Sequence, residues 1–475
     1  MAGRHWTDIC VIGAGSGGLS VAAGASRMGA GVVLLEKHKM GGDCLNYGCV
    51  PSKSLIAASH AVRAVREAAD FGVDARIDQI DPVRVFGHVK SVIKAIEPMD
   101  SVERFEGLGV RVIPEAGRFA SPNEVETASG DRIAARRFVI ATGSSAFAPP
   151  IEGLADTPHM TNETVFEQTD IPRRLIVVGG GPIGLELAQA HRLLGSQVIL
   201  LEAAAIMPKD DPELVDVVRR ALLKDGVDIR EGVAVVAVGR ENGGVSVAVE
   251  KDGLRETISG DRLLVAAGRR PNVDGLGLEE AGIAYSRKGV EVDARLRTSN
   301  GKVFAIGDVV GGHQFTHVAG HHAGVVIKNA LFRLPAKATP NLYPWVTFTT
   351  PELAHVGLAA ERARERHGDA RVLRWPFEEN DRARTEGLTE GFVKATVTPK
   401  GRILGASIVG PRAGELIQPW VLAMSSNRKI GAMATYVSPY PTLTEVNKRA
   451  AGSFYTPRLF GDRTRKIVRF LLKLP

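Results

Sequence analysis

Cysteine is scarce in this chain, and two of its three cysteines, Cys44 and Cys49, stand five positions apart in the stretch Gly41-Gly42-Asp43-Cys44-Leu-Asn-Tyr-Gly-Cys49-Val-Pro-Ser-Lys53. A helix expected to begin near Pro51 would let the two sulfurs meet in its first turn, where the helix dipole favours a thiolate. That arrangement suits redox chemistry through a disulfide. Two other readings stay open at this point: a metal site, for which no second ligand pair follows, and a pair of inert core thiols. The third cysteine, Cys10, lies within an apolar strand and reads as a small buried hydrophobe.

The elements around these sulfurs carry a repeated signal. From Asp8 a short apolar strand runs into Gly13-Ala-Gly15-Ser-Gly-Gly18, then a small-residue helix over 19–28, then a strand over 31–35 ending in Glu36. The pattern recurs as a strand over 175–178, Gly179-Gly-Gly181-Pro-Ile-Gly184, a helix to Leu194 and a strand over 197–201 ending in Glu202. In each copy the first glycine permits the turn, the second lets the backbone approach a pyrophosphate, and the third lets helix pack on strand. An acid about 20 residues on can take a ribose hydroxyl. Two copies imply two dinucleotides, which favours the redox reading of Cys44 and Cys49.

The remaining chain fits around these units. A helix over 53–67, an amphipathic segment near 83–105 and short strands around 110–119 follow the cysteines, and the strand over 137–141 runs into Thr142-Gly143-Ser144. Later apolar runs end at Gly268-Arg-Arg-Pro-Asn272 and at Gly307-Asp308, as strands entering a cofactor cleft do. Residues 336–344 read as a linker, with a third domain of mixed strands and helices beyond.

Bulk properties bound the answer. A chain of 475 residues exceeds one hydrophobic core. The net charge of +7 comes from scattered basic residues without an aromatic-interleaved patch, which argues against nucleic acid. No long apolar run or signal-peptide layout occurs, so a cytoplasmic location is expected. The paired His321 and His322 face different ways on a helix, and no resident metal is expected. The basic stretch Arg463-Thr-Arg-Lys-Ile-Val-Arg-Phe-Leu-Leu-Lys-Leu474 forms a short helix with an apolar side, expected to pack on its own domain rather than on a membrane.

Together these motifs resemble the pyridine nucleotide-disulfide oxidoreductases, the family that includes glutathione reductase, lipoamide dehydrogenase and mercuric reductase. The likeness spans nearly the whole chain: both glycine turns, the Cys44 to Lys53 motif, Ala141-Thr-Gly143, Gly268 to Asn272, Ala305-Ile-Gly-Asp308 and Phe348-Thr-Thr-Pro-Glu352. It implies an α/β fold with two Rossmann-like dinucleotide-binding domains, for FAD (1–150 and 265–335) and NAD(P) (151–264), plus an α+β dimerisation domain (336–475). The implied assembly is a homodimer.

By the same resemblance, Gly13, Gly15, Gly18 and Glu36 hold the ADP part of FAD and Asp308 its ribitol. Gln314, Phe315, Thr316 and His317 open a helix aimed at the flavin pyrimidine, whose partial positive charge stabilises the reduced ring. Cys49 takes the flavin side, Cys44 exchanges with substrate, and Lys53 pairs with Glu186 beneath the flavin N5. Gly42, Gly117, Thr142, Gly143, Ser144, Val235 and Gly268 are further positions assigned to cofactor binding. Gly179, Gly181 and Gly184 receive the nicotinamide nucleotide. Glu202 would meet a 2′-phosphate with like charge, which favours NADH over NADPH.

The departure from the family pattern lies near the C-terminus. Disulfide reductases of this family place a His before Pro-Thr, with a Glu beyond it, as an acid-base dyad supplied across the dimer. This chain reads Pro439-Tyr440-Pro441-Thr442-Leu-Thr-Glu445, and no His follows His367. A phenol with a pKa about 10 is a poor proton shuttle near neutrality. A tyrosine here is similar to the mercuric reductase motif, although the C-terminal cysteine pair of those enzymes is missing. Three functions follow as expectations: reduction of a soft metal ion; reduction of a small disulfide, as in dihydrolipoamide dehydrogenase; or a non-catalytic redox-sensing flavoprotein.

Overall fold

The computed structural model describes residues 3–241 and 243–475. The chain folds into two compact units, Met1–Ala203 with Asp228–Thr339, and Ala204–Val227 with Pro340–Pro475.

In the first unit, strand Arg4–Ile12 is buried from Ile9 onward because it runs through the middle of a sheet. It pairs in parallel with Val32–Leu35 on one side and Arg132–Ile140 on the other. Val110–Ile113 extends one edge, and the antiparallel strands Glu124–Thr127 and Gly117–Ser121 extend the other. Val303–Ala305 returns to pair in parallel with the end of Arg132–Ile140. Parallel neighbours need a crossover. The Ser16–Arg27 helix supplies it, burying Leu19, Val21, Ala22 and Ala25 on one face.

A second parallel sheet repeats the plan in the order Val227–Glu231, Gln197–Glu202, Arg174–Val178, Arg262–Val265, with the Pro182–Leu193 helix as crossover. An antiparallel meander of Ala234–Glu241, Gly244–Lys251 and Leu254–Gly260 accompanies it. The expected pair of Rossmann-like domains is present.

The second unit is built on an antiparallel sheet ordered Trp345–Thr347, Glu352–Gly357, Ile403–Gly410, Phe392–Val397, Arg371–Pro376. Ile403–Gly410 is buried at every position. Trp420 packs into the same core, and Asn447 Oδ1 accepts its indole N–H at 2.8 Å. The Pro212–Lys224 helix belongs to this unit; Lys394 Nζ lies 2.7 Å from Asp211 and 3.0 Å from Glu213 at its start.

Cys44 lies in the short helix Gly42–Asn46, and Cys49 opens the next, Cys49–Glu67, close to the start expected near Pro51. Gly48, with φ −117° and ψ −110°, breaks the helix between them, and a Cβ there would come within 2.7 Å of Asp43 Oδ2. One local expectation needs correction: the C-terminal helix Asp462–Leu471 buries none of its residues, so it does not pack on its own domain. Apolar spacing shows that a helix has an apolar face but not what lies against it. Among the described residues no helix is long and apolar enough to cross a membrane.

Candidate active site

The two glycine turns have the same geometry. Gly13 and Gly179 hold φ of +105° and +115°, and a Cβ on either would strike the carbonyl oxygen of Ala141 or Ala266 at 2.4 Å. Gly18 and Gly184 press on the carbonyls of Gly13 and Gly179, where a Cβ would sit at 1.9 and 2.0 Å. At Gly15 and Gly181, by contrast, an added Cβ would meet nothing within 4 Å. These are the positions at which a ligand can come close to the backbone. The acids at the strand ends are fixed alike: Glu36 Oε2 accepts the Ala14 N–H and Glu202 Oε2 the Gly180 N–H, both at 2.7 Å.

Cys44 and Cys49 are brought together as two thiols that hydrogen-bond each other. Cys49 Sγ also lies 3.5 Å from Thr316 Oγ1. The Cys44 hydrogen bond, the Thr316 hydroxyl and the Lys53 charge together bring the Cys49 pKa down to about 6, against burial and Asp43. Cys44, which gives its hydrogen bond to Cys49 and is partly desolvated, is pushed well above the usual thiol range. One sulfur is therefore a thiolate near neutrality while its neighbour keeps its proton. Cys10 is fully buried in its strand, and burial pushes its thiol up to about 12, out of reach of chemistry.

Lys53, one turn into the helix that Cys49 opens, reaches Glu186 on the Pro182–Leu193 helix, Nζ to Oε2 2.6 Å. Pro182 itself takes the first position of that helix, where its missing N–H costs nothing.

A chain of contacts links the Cys44 helix to Asp308. Arg269 Nη2 lies 3.1 Å from Asp43 Oδ1, while its Nε and Nη2 donate to Ser144 Oγ at 2.8 Å and Ser144 O at 2.7 Å. Ser144 Oγ in turn donates to Asp308 Oδ2 at 2.7 Å. Burial raises the Asp308 pKa, opposed by the Ser144 hydrogen bond and the Arg269 charge. Thr142 and Asn272 exchange side-chain to backbone hydrogen bonds at 2.8 and 3.0 Å, setting the turn at Gly143, whose φ is +70°. Sequence reasoning named Ser144 and Asp308 but missed Arg269 and Asp43. The signal was available, since Arg269 lies in the quoted Gly268 to Asn272 motif and Asp43 adjoins Cys44.

The remaining candidates are placed more loosely. Gly42 approaches Gly15 so closely that a Cβ would lie 2.7 Å from its Cα. Gln314 and Phe315 precede the Thr316–Ala330 helix, and the Phe315 ring stacks on that of His317 at 5.4 Å between centroids. Gly268 faces open space with φ +129°. Val235 follows Val233, whose N–H donates to Glu202 O at 3.0 Å. Gly117 sits in a strand where a Cβ would collide with Leu35, a packing reason for glycine. His322 is buried, its Nδ1 accepts the Gly307 N–H, and burial lowers its pKa to about 4, so it is neutral. Among the described residues no group of three or more His, Cys, Asp or Glu could hold a metal ion.

In the second unit, Tyr440 is 70% exposed and its hydroxyl donates to Asp381 Oδ2 at 3.0 Å, which raises its pKa. Glu445 opens the Glu445–Gly452 helix, and its Oε2 accepts the Thr442 N–H at 3.4 Å.

The first unit fits two dinucleotides. The helices Ser16–Arg27, Pro182–Leu193 and Thr316–Ala330 all begin without a side-chain cap or an acid in the first turn. Their leading N–H groups and positive dipole ends are left for anionic ligands. With Gly15 and Gly181 facing open space, two of these ends suit pyrophosphates.

The comparison with known families agrees with this geometry. The family model for pyridine nucleotide-disulphide oxidoreductase matches residues 7–323, and the model for the dimerisation domain of that family matches residues 343–451. The chain belongs to the pyridine nucleotide-disulphide oxidoreductases, FAD-binding enzymes that use a pyridine nucleotide, and its dimerisation domain supports a homodimer. It is 35% identical to a dihydrolipoyl dehydrogenase of Thermus scotoductus over 94% of this chain and 97% of that relative. A mercuric reductase of Bacillus cereus is 31% identical over 95% of this chain and 72% of its own length. Among solved structures, the Cu(II) complex of RclA, an HOCl-induced flavoprotein disulfide reductase from Escherichia coli, is similar with a TM-score of 0.82 and 28% identity. That match covers 93% of this chain and 98% of RclA.

Proposed function

We propose that the enzyme takes electrons from NADH, passes them by way of FAD to Cys44 and Cys49, and delivers them to a soft metal ion such as Hg(II). The observation that carries this reading is the sulfur pair: Cys49 favours thiolate near neutrality and Cys44 stands beside it. Two adjacent sulfurs, released as thiolates, are ligands matched to a soft cation in transit. The balance is NADH plus Hg(II) giving NAD⁺, a proton and Hg(0).

FAD, when bound, supplies the two-electron relay between nicotinamide and sulfur. In this reading Cys49 lies on the flavin side and Cys44 meets the acceptor. Lys53, held by Glu186, would supply a fixed positive charge near the flavin, and the start of the Thr316–Ala330 helix would add its dipole. Glu202 disfavours a 2′-phosphate and thereby NADPH. Tyr440 offers an oxygen ligand rather than a proton, and a metal ion needs no proton delivered to a leaving thiol. A mercuric reductase among the relatives and a Cu(II)-bound neighbour in the same family both support a metal acceptor.

A second reading, reduction of a small disulfide with Glu445 handling protons, is supported by the dihydrolipoyl dehydrogenase relative. One experiment separates them: anaerobic NADH oxidation offered Hg(II), lipoamide or glutathione disulfide in turn. Hg(II) turnover that vanishes in Cys44→Ser and Cys49→Ser supports the metal reading. Unchanged Hg(II) reduction in Cys44→Ser would overturn the role given to Cys44, and faster flavin reduction by NADPH would refute that given to Glu202.

A further inference from the structure

The family's dimerisation model ends at residue 451, and the last buried residue of the chain is Ala451. Beyond it, the Asp462–Leu471 helix carries a surface that no function described above uses. Ile467, Val468, Phe470, Leu471 and Leu474 fall on one arc of the helix and its last turn, interrupted near its start by Arg463, and Arg465, Lys466, Arg469 and Lys473 lie on the opposite arc with Leu472 at its edge. The apolar arc is open to solvent: Phe470 is 64% exposed and Leu471 54%. From Tyr455 to the C-terminus six basic side chains face a single acid, Asp462.

We propose that this helix is an interfacial anchor that seats the enzyme on an anionic lipid bilayer. A short helix with aromatic and aliphatic residues on one face and a basic face opposite lies in the plane of the headgroups, its apolar side in the acyl boundary and its basic stems reaching the phosphates. Charge complementarity selects anionic lipid, because uncompensated Lys and Arg gain little from zwitterionic headgroups. The ten-residue helix is too short to span a bilayer, so it lies on the surface. A second copy of the chain is a poorer occupant: the family's dimerisation model ends at residue 451, short of this helix.

The test uses the full holoenzyme co-sedimented with vesicles of phosphatidylcholine alone and of phosphatidylcholine mixed with phosphatidylglycerol. Binding is expected to the mixed vesicles only, and release at high salt. Deletion from Gly461 onward, Phe470→Asp with Leu471→Asp, and reversal of Arg465, Lys466 and Arg469 to Glu should each weaken partitioning at least about tenfold. All three should leave NADH-dependent flavin reduction unchanged, since none lies in the site. Equal binding by the deletion variant, or no binding by the full chain, overturns the proposal. So does dissociation of the dimer on deletion in analytical ultracentrifugation, which would assign the face to a second copy.

Discussion

Lys53 Nζ stands 2.6 Å from Glu186 Oε2, joining the helix that Cys49 opens to the crossover helix of the second nucleotide sheet. Glu186 is buried, while the Lys53 side chain is about a third exposed, so the pair is only partly withdrawn from water. Glu186→Gln is expected to cost about 1–3 kcal/mol, below the loss for a fully buried pair, measured by denaturant unfolding of the holoenzyme. Lys53→Met should in addition lower the two-electron flavin potential, by about 30 mV for each 1.4 kcal/mol of charge stabilisation withdrawn. An unchanged potential in Lys53→Met would remove Lys53 from the flavin environment.

Cys49 is the group whose titration reports the site. Its pKa in the folded protein lies at about 6, below the ordinary thiol value of 9.0. A depressed pKa adds stability in full above the unfolded value, and that contribution fades as pH falls from about 9 to about 6. Alkylation of the reduced enzyme at Cys49 should therefore follow an ionisation near pH 6. In Cys44→Ala, which removes the largest stabilising hydrogen bond, the same profile should move to higher pH. Thiolate absorbance with pH, read for each variant, checks both statements; coincident profiles in the two proteins would contradict the assignment.

Much of this site was legible in residue order alone. Gly13 and Gly179, at positive φ, and Gly18 and Gly184, pressed on the carbonyls of Gly13 and Gly179, leave no room for a side chain, while Gly15 and Gly181 face open space; the same three-glycine spacing repeats, so it identifies them. The acids Glu36 and Glu202 are legible likewise. What spacing cannot show is contact between distant segments. Arg269 meets Asp43 across more than two hundred residues, and the break at Gly48 between the two cysteine helices, beside the Asp43 carboxylate, has no periodic signature. Exposure of the Asp462–Leu471 helix was hidden for the same reason, because amphipathic spacing looks identical whether the face is covered or open.

Arg269 offers a test of that unforeseen network. Its side chain is 11% exposed and serves Asp43 and both oxygens of Ser144. A lysine cannot reproduce the planar fork. Arg269→Lys is expected to destabilise the holoenzyme by about 2–3 kcal/mol, the range for losing a charged hydrogen bond in a partly dry site. Because Ser144 orients Asp308, flavin should also be lost more readily on dilution, read as free flavin fluorescence. Loss of stability with full flavin retention would confine Arg269 to packing.

The strongest test of acceptor choice is at Tyr440. Its hydroxyl is bonded to Asp381, and the Asp381 and Glu445 charges raise its pKa, so the phenol stays protonated through neutral pH and shuttles no proton there. Tyr440→His places at this position an imidazole with an ordinary pKa near 6.5, which general acid-base catalysis can use. Turnover with lipoamide or glutathione disulfide should rise by about 10²-fold, with a new pH dependence in the neutral range, while Hg(II) reduction gains nothing. Tyr440→Phe should leave stability within about 0.5 kcal/mol, as the side chain is exposed, and should lower Hg(II) turnover by removing the proposed oxygen ligand. Steady-state rates with each acceptor across pH decide the matter. If Tyr440→His leaves disulfide turnover where it was, the missing imidazole does not limit disulfide reduction at this site.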